Sequence, residues 1–247
     1  MTRAARVLPD LLAGLVLLAA VAAATCRLLG LGTSHLALSV AIYAVAAAIL
    51  LLRFPPDLPG RGMGAANRVT LARAALVVPV GALAIQPGAF GDRAAWWVIG
   101  LATLGMILDG VDGRVARRSG GASAFGARFD MELDAALLMA LAALLWRTGL
   151  VGAWVLAIGA LRYLFVLAGA VLPALRGDLP PSLRRKVVCV IQGIALVVAL
   201  GPIIPPSLAV AGLAFALGAL LYSFGVDVLW LLRAPSPTPT SRSGGAA

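Results

Sequence analysis

Apolar residues run along this chain in long unbroken stretches, not in the alternation of a half-buried strand or the narrow stripe of a surface helix. Stretches of about 20 residues, the length that carries a helix across a hydrocarbon core, fall near 8–31, 34–53, 69–88, 94–110, 130–147, 150–174, 186–202 and 206–232. They predict an all-α, polytopic transmembrane bundle of about eight spans, with a very short turn joining the fifth to the sixth. The segment PPDLPGRG breaks the pattern most clearly and separates an N-terminal pair of helices, 1–60, from a six-helix unit, 61–233. Beyond it, APSPTPTSRSGGAA (234–247) is low in complexity and reads as a disordered cytoplasmic tail.

Composition supports the same class. Of 247 residues, 62% are hydrophobic and 12% charged, and the mean hydropathy is +1.01, whereas soluble domains are about half apolar and a quarter charged. A formal charge of +10, from 20 Lys and Arg against 10 Asp and Glu, raises nucleic acid as a partner. Its distribution argues otherwise. With the N-terminus inside, Arg3 and Arg6, Arg61 and Arg68, Arg114 to Arg128, Arg176 to Lys186, and Arg233 and Arg242 all fall on one side, opposite little more than Arg93 and Arg147. That is the positive-inside asymmetry of an inner or plasma membrane protein, and it places both termini and the acidic cluster at the cytoplasmic face. The rival reading of the first span is a cleaved leader, since Arg3 and Arg6 precede it and small residues lead into Cys26. Its apolar run is longer than a leader's, and AAATC is a poor lipoprotein cleavage site. Cys26 and Cys189 have no metal or disulfide spacing and read as packing residues.

Five of the ten acidic residues lie between Asp109 and Asp134, in DGVDGRVARRSGGASAFGARFDMELD. On a helix, Asp109 and Asp112 lie about 60° apart, and Asp130 and Asp134 about 40° apart, so each pair shares a face. Antiparallel neighbours would bring the four together at the membrane edge. Oxygen ligands without His or Cys favour Mg²⁺ or Mn²⁺, and four uncompensated carboxylates would repel one another without a cation. A solvated acidic loop would not need this registry inside apolar helices. Gly113 and Gly126 leave room for a ligand against the backbone, or simply loosen the loop. Arg117, two turns beyond Asp109, could clamp a diphosphate.

Asp109, Asp112, Gly113, Ala116, Arg117, Gly126, Asp130 and Asp134 spell D-x2-D-G-x2-A-R-x8-G-x3-D-x3-D. In this pattern the chain resembles the CDP-alcohol phosphatidyltransferase family, with all eight fixed positions present. An Asn-x2-Thr-x2-Arg element that often opens the family's six-helix core is matched by Asn67, Thr70 and Arg73. The resemblance covers about 66–233 and says nothing of the first two spans.

The resemblance implies two metals held by Asp109, Asp112, Asp130 and Asp134, with Asp134 also the general base. Asn67, Thr70, Arg73, Gly113, Ala116, Arg117 and Gly126 would line the site of a CDP-activated donor. An alcohol acceptor would attack the β-phosphorus and CMP would leave, as expected of phosphoryl transfer by positioning and charge. Membrane lipids are partners, a homodimer is allowed, and nucleic acid is not expected.

A second basic group is Arg162 in the sixth span with Arg184, Arg185 and Lys186 at the start of the seventh. Relatives with phosphorylated acceptors carry basic residues in comparable helices, which makes this an acceptor pocket, while anchorage of Arg184 to Lys186 on anionic lipid reads equally well. Asp227 reads as the partner of a neighbouring arginine. The rival functions are an intramembrane prenyltransferase, which would use two separated Asp-rich motifs and no Ala-Arg or glycine positions, and a transporter or non-catalytic scaffold.

Overall fold

The computed structural model describes residues 3–54, 63–88, 90–119, 123–177 and 179–233, with the side chains of 3–5, 111–119, 173 and 176 excluded. The PPDLPGRG boundary and the tail lie outside the described residues. Among the described residues eight α-helices follow one another: α1 (Arg3–Leu29), α2 (Thr33–Arg53), α3 (Ala65–Ile85), α4 (Asp92–Ser119), α5 (Ala124–Arg147), α6 (Leu156–Val171), α7 (Leu183–Ala199) and α8 (Pro206–Arg233). Short 3₁₀ turns, Ala153–Val155 and Pro173–Arg176, flank α6. No strand occurs among the described residues. The protein is an all-helical membrane bundle: α1, α2, α3, α8 and the Ala153–Val171 segment are long and apolar enough to cross a bilayer.

The helix count agrees with the hydrophobic pattern; the ends do not. α4 runs to Ser119 and α5 begins at Ala124, so both continue past the apolar stretches that ended near 110 and began near 130. A hydropathy reading sees only the part of a helix that lipid demands. The backbone carries on wherever its own hydrogen bonds and caps allow. At α5 the cap is Ser123, whose hydroxyl accepts from the Gly126 N–H at 3.0 Å. These extensions carry the polar motif at the helix ends.

α3 is the central helix. It packs on α1, α2, α4 and α5, and 67% of its most apolar stretch is buried, against 17–28% in the other four apolar spans. The outer helices turn Leu52, Val171, Leu183 and Phe215 outwards, a surface that suits lipid tails and would be intolerable in water. At the end of the bundle remote from the motif, the Trp97 indole N–H donates to Thr25 Oγ1 at 2.9 Å, and Arg147 donates to the carbonyls of Leu83, Ala84 and Gly88. The tight turn after α5 uses Gly149 at φ +74°, a conformation L side chains rarely adopt.

Helices in lipid gain little from hydrophobicity against one another and rely on close packing. The α5–α6 contact shows this most sharply: a Cβ at Gly159 would lie 2.5 Å from the Met139 Cα. Backbone cannot yield as a flexible side chain does. Gly159→Val should therefore lower the thermal midpoint in detergent by several degrees, an overpacking cost of about 1–3 kcal/mol. Gly218→Ala in α8, where nothing lies within 4 Å of the added Cβ, should not lower it. Equal midpoints for Gly159→Val and the parent would contradict the packing.

Candidate active site

Asn67, Thr70 and Arg73 recur every three residues on α3, so they climb one side of the helix. All three are buried. Asn67 donates through Nδ2 to the Met63 carbonyl at 2.7 Å, and Thr70 Oγ1 donates to the Ala66 carbonyl at 3.2 Å. Arg73 instead crosses to the neighbouring helices. Its Nε donates to the Gly105 carbonyl of α4 at 3.0 Å, and its Nη1 lies 3.0 Å from Asp109 Oδ1 and also bonds Asp130 Oδ1. Its Nη2 reaches Asp134 Oδ1 at 2.5 Å.

One guanidinium thus ties together carboxylates from two helices. Arg73 is only 1% exposed, while the side chains of Asp109, Asp130 and Asp134 remain 41%, 33% and 29% exposed. The inner side of the cluster is closed by the arginine and the outer side is open. Burying an unpaired guanidinium would cost several kcal/mol, so Arg73 at this depth requires the carboxylates as much as they require it. The sequence had suggested four uncompensated carboxylates; the described three share a built-in counter-ion.

Among the described residues, three carboxylates meet one guanidinium, a formal excess of two negative charges that a divalent cation would match. Asp109, Asp130 and Asp134 each offer an oxygen within 4.8 Å of the others, a donor set of hard ligands suited to Mg²⁺ or Mn²⁺. These residues fit a metal. Asp112, Gly113, Ala116 and Arg117 stand on the last turns of α4, and their side chains lie outside the described residues.

Gly126, on the first turn of α5, stands against α3. A Cβ there would lie 2.4 Å from Asn67 Oδ1, so glycine permits the α3–α5 approach that brings Arg73 to Asp130 and Asp134. The second basic group is not brought into this cluster. Arg162 Nη2 pairs with Glu132 Oε1 of α5 at 2.5 Å, and its buried Nε has no partner among the described residues. Arg184 and Arg185 both reach Asp227 Oδ1 of α8, at 2.5 and 3.1 Å, and Arg184 donates to Ser223 Oγ at 2.7 Å. The arginine partner expected for Asp227 is present, twice over. Lys186 follows on the first turn of α7. The Arg162–Glu132 pair had no signal in the sequence, because nothing in either helix alone indicates which faces meet.

Residues 63–224 match the sequence model described as CDP-alcohol phosphatidyltransferase. The chain belongs to the CDP-alcohol phosphatidyltransferase family. The matched interval opens at Met63, two residues before α3, and contains the aspartates and all the other fixed positions of the motif; α1 and α2 precede it. No curated protein and no solved structure gave a match. As a member of this family, the protein is a membrane phosphotransferase acting on CDP-alcohols.

The Arg73 cluster yields a direct test. Arg73→Met removes the guanidinium that three neighbouring carboxylates share, so that their mutual repulsion opposes the packing of α3 against α4 and α5. In EDTA the variant should melt well below the parent. Added Mn²⁺ should recover much of that loss, since a cation bound only by the folded state stabilises it by mass action. A variant whose midpoint is indifferent to metal would contradict a cation site at Asp109, Asp130 and Asp134.

Proposed function

We propose that the protein transfers a phosphatidyl or other substituted phosphoryl group from a CDP-activated donor, with CDP-diacylglycerol the favoured one, to an alcohol acceptor in phospholipid biosynthesis. The observation that carries this reading is the convergence of Asp109, Asp130 and Asp134 on one buried guanidinium, in a chain whose family acts on CDP-alcohols. Asp109, Asp112, Asp130 and Asp134 are assigned to a pair of divalent cations, Mg²⁺ or Mn²⁺. When bound, such ions neutralise the donor diphosphate and the charge of the leaving oxygen.

The protein's own residues supply position and proton transfer. Asn67, Thr70, Arg73, Gly113, Ala116, Arg117 and Gly126 form the wall against which the CDP moiety lies. Asp134 accepts the proton of the acceptor hydroxyl as its oxygen bonds to the β-phosphorus. The bond from that phosphorus to the CMP oxygen breaks, and CMP departs with the electron pair. Arg162, Arg184, Arg185 and Lys186 are assigned to an anionic acceptor. Ion pairs hold the Arg162 guanidinium of α6 against Glu132 of α5, and those of Arg184 and Arg185 at the start of α7 against Asp227 of α8. The excess of Arg and Lys in the inter-span segments expected on the same side as the motif supports a cytoplasmic reaction.

The decisive comparison is between two isosteric changes. Asp134→Asn keeps the shape of the side chain and removes its basicity, and loss of a general base lowers rates by about 10² to 10⁴. It should retain CDP-donor binding and release almost no CMP. Asp109→Asn should lose both, because the cations that hold the diphosphate go with it. EDTA should abolish turnover in the parent. If Asp134→Asn turns over near the parent rate, the assignment of the base is wrong; if the parent turns over fully in metal-free buffer, the two-cation reading is wrong.

A further inference from the structure

The first two helices precede the family's matched interval, yet they are built into the end of the bundle that holds the aspartates. α1 lies so close to its neighbours that a Cβ at Gly14 would meet Tyr43 Oη at 2.4 Å and Leu71 Cγ of α3 at 2.9 Å. Tyr43 of α2 donates its hydroxyl to the Leu11 carbonyl at 2.8 Å. Val7, Leu11, Tyr43, Phe54, Met63 and Leu71 are buried in one cluster, with Phe125 and Phe129 of α5 packed against it. Phe54 meets Phe125 edge to face, centroids 5.3 Å apart, one residue before Gly126.

Within this contact, Asp10 of α1 has two polar partners. Its Oδ2 accepts the Met63 N–H at 2.8 Å, and its Oδ1 accepts Arg68 Nε at 2.9 Å. Arg68 is 56% exposed and Asp10 13%, and an ion pair with so exposed a partner contributes little. The bond to Met63 is different. α3 starts after Gly64, at φ +85° and with no side-chain cap of its own, so its entry is fixed from outside. The Met63 N–H is held by Asp10, and the Met63 carbonyl is held by Asn67 Nδ2 at 2.7 Å. The other end of that amide, Asn67 Oδ1, occupies the space where Gly126 lacks a side chain.

We propose that Asp10 is a positioning residue for the CDP-donor site, acting through Met63 on the Asn67 amide and its contact with Gly126. The N-terminal helix pair is then part of the catalytic unit: it sets the wall against which the nucleotide lies. This inference rests on the donor reading of Asn67 and Gly126 given above. It concerns donor affinity and leaves the proton transfer at Asp134 untouched.

Steady-state kinetics with CDP-diacylglycerol and Mg²⁺ in detergent, together with calorimetric binding of CMP, test it. Asp10→Ala should raise the donor KM and the CMP dissociation constant about tenfold, the size expected for loss of one capping bond, with kcat and the acceptor KM essentially unchanged. Asp10→Asn keeps an oxygen for the Met63 N–H and should restore donor affinity. Asp10→Glu, which keeps the charge and misplaces it by one methylene, should shift donor affinity in the same direction as Asp10→Ala by a smaller factor, and gives the same readout if Asp10→Ala does not fold. Tyr43→Phe, which cuts the α1–α2 bond without touching Met63, should lower the thermal midpoint and leave the donor KM alone. A parent protein that releases no CMP overturns the donor reading and this proposal with it. A parent that turns over, beside an Asp10→Ala or Asp10→Glu variant of equal donor KM and CMP affinity, overturns this proposal alone, as does a Tyr43→Phe variant whose donor KM rises as far.

Discussion

A guanidinium that is only 1% exposed lies among three carboxylates contributed by two other helices. Much of the bundle's arrangement follows from that fact. Arg73 cannot occupy the interior of a membrane protein unpaired, so α3, which carries it, is fixed against α4 and α5. The aspartates in turn cannot gather around a cation-binding space without some counter-charge to hold them there. Among the described residues one positive charge meets three negative ones, which holds the cluster together and leaves it able to accept a divalent cation at its open side.

The surrounding structure makes this contact geometrically possible. Glycine at 126 lets α5 approach α3 within reach of Asn67, and glycine at 159 lets α6 lie against the α5 backbone. In lipid such close approaches replace the hydrophobic drive that holds soluble helices together. The continuation of α4 and α5 beyond their apolar stretches places the charged residues of the motif on the ends of these helices. The α7–α8 end carries a second arginine–aspartate arrangement, anchored by Asp227 and Ser223.

Much of this was legible in the sequence, for identifiable reasons. Eight helices could be counted because lipid forces each crossing to be continuously apolar, and the aspartates could be grouped because i, i+3 and i, i+4 spacing fixes a helical face. The arginine pairing of Asp227 was legible because a charge inside a membrane needs a partner. The helix ends were not, since Ser123 caps α5 in a stretch that hydropathy passes over. Nor was the place of Arg73: it stood out in the motif on α3, but its contacts on α4 and α5 lie 32 to 61 residues away, and only packing decides which faces meet. Asp10 carried no signal at all, being a lone carboxylate at the edge of an apolar run. Its partner is a backbone N–H 53 residues later.

The central claim is that the Arg73-centred aspartate cluster moves a phosphoryl-linked group from a CDP donor to an alcohol. The most direct measurement incubates the purified protein in Mg²⁺ with CDP-diacylglycerol and a panel of alcohols and phosphorylated alcohols, quantifying CMP and identifying the lipid product by mass spectrometry. The account predicts that one acceptor class yields CMP and a new phospholipid in equal amounts, the product retaining the diacylglycerol phosphate of the donor. Release of inorganic diphosphate in place of CMP, or a new lipid formed with no CMP at all, would contradict it.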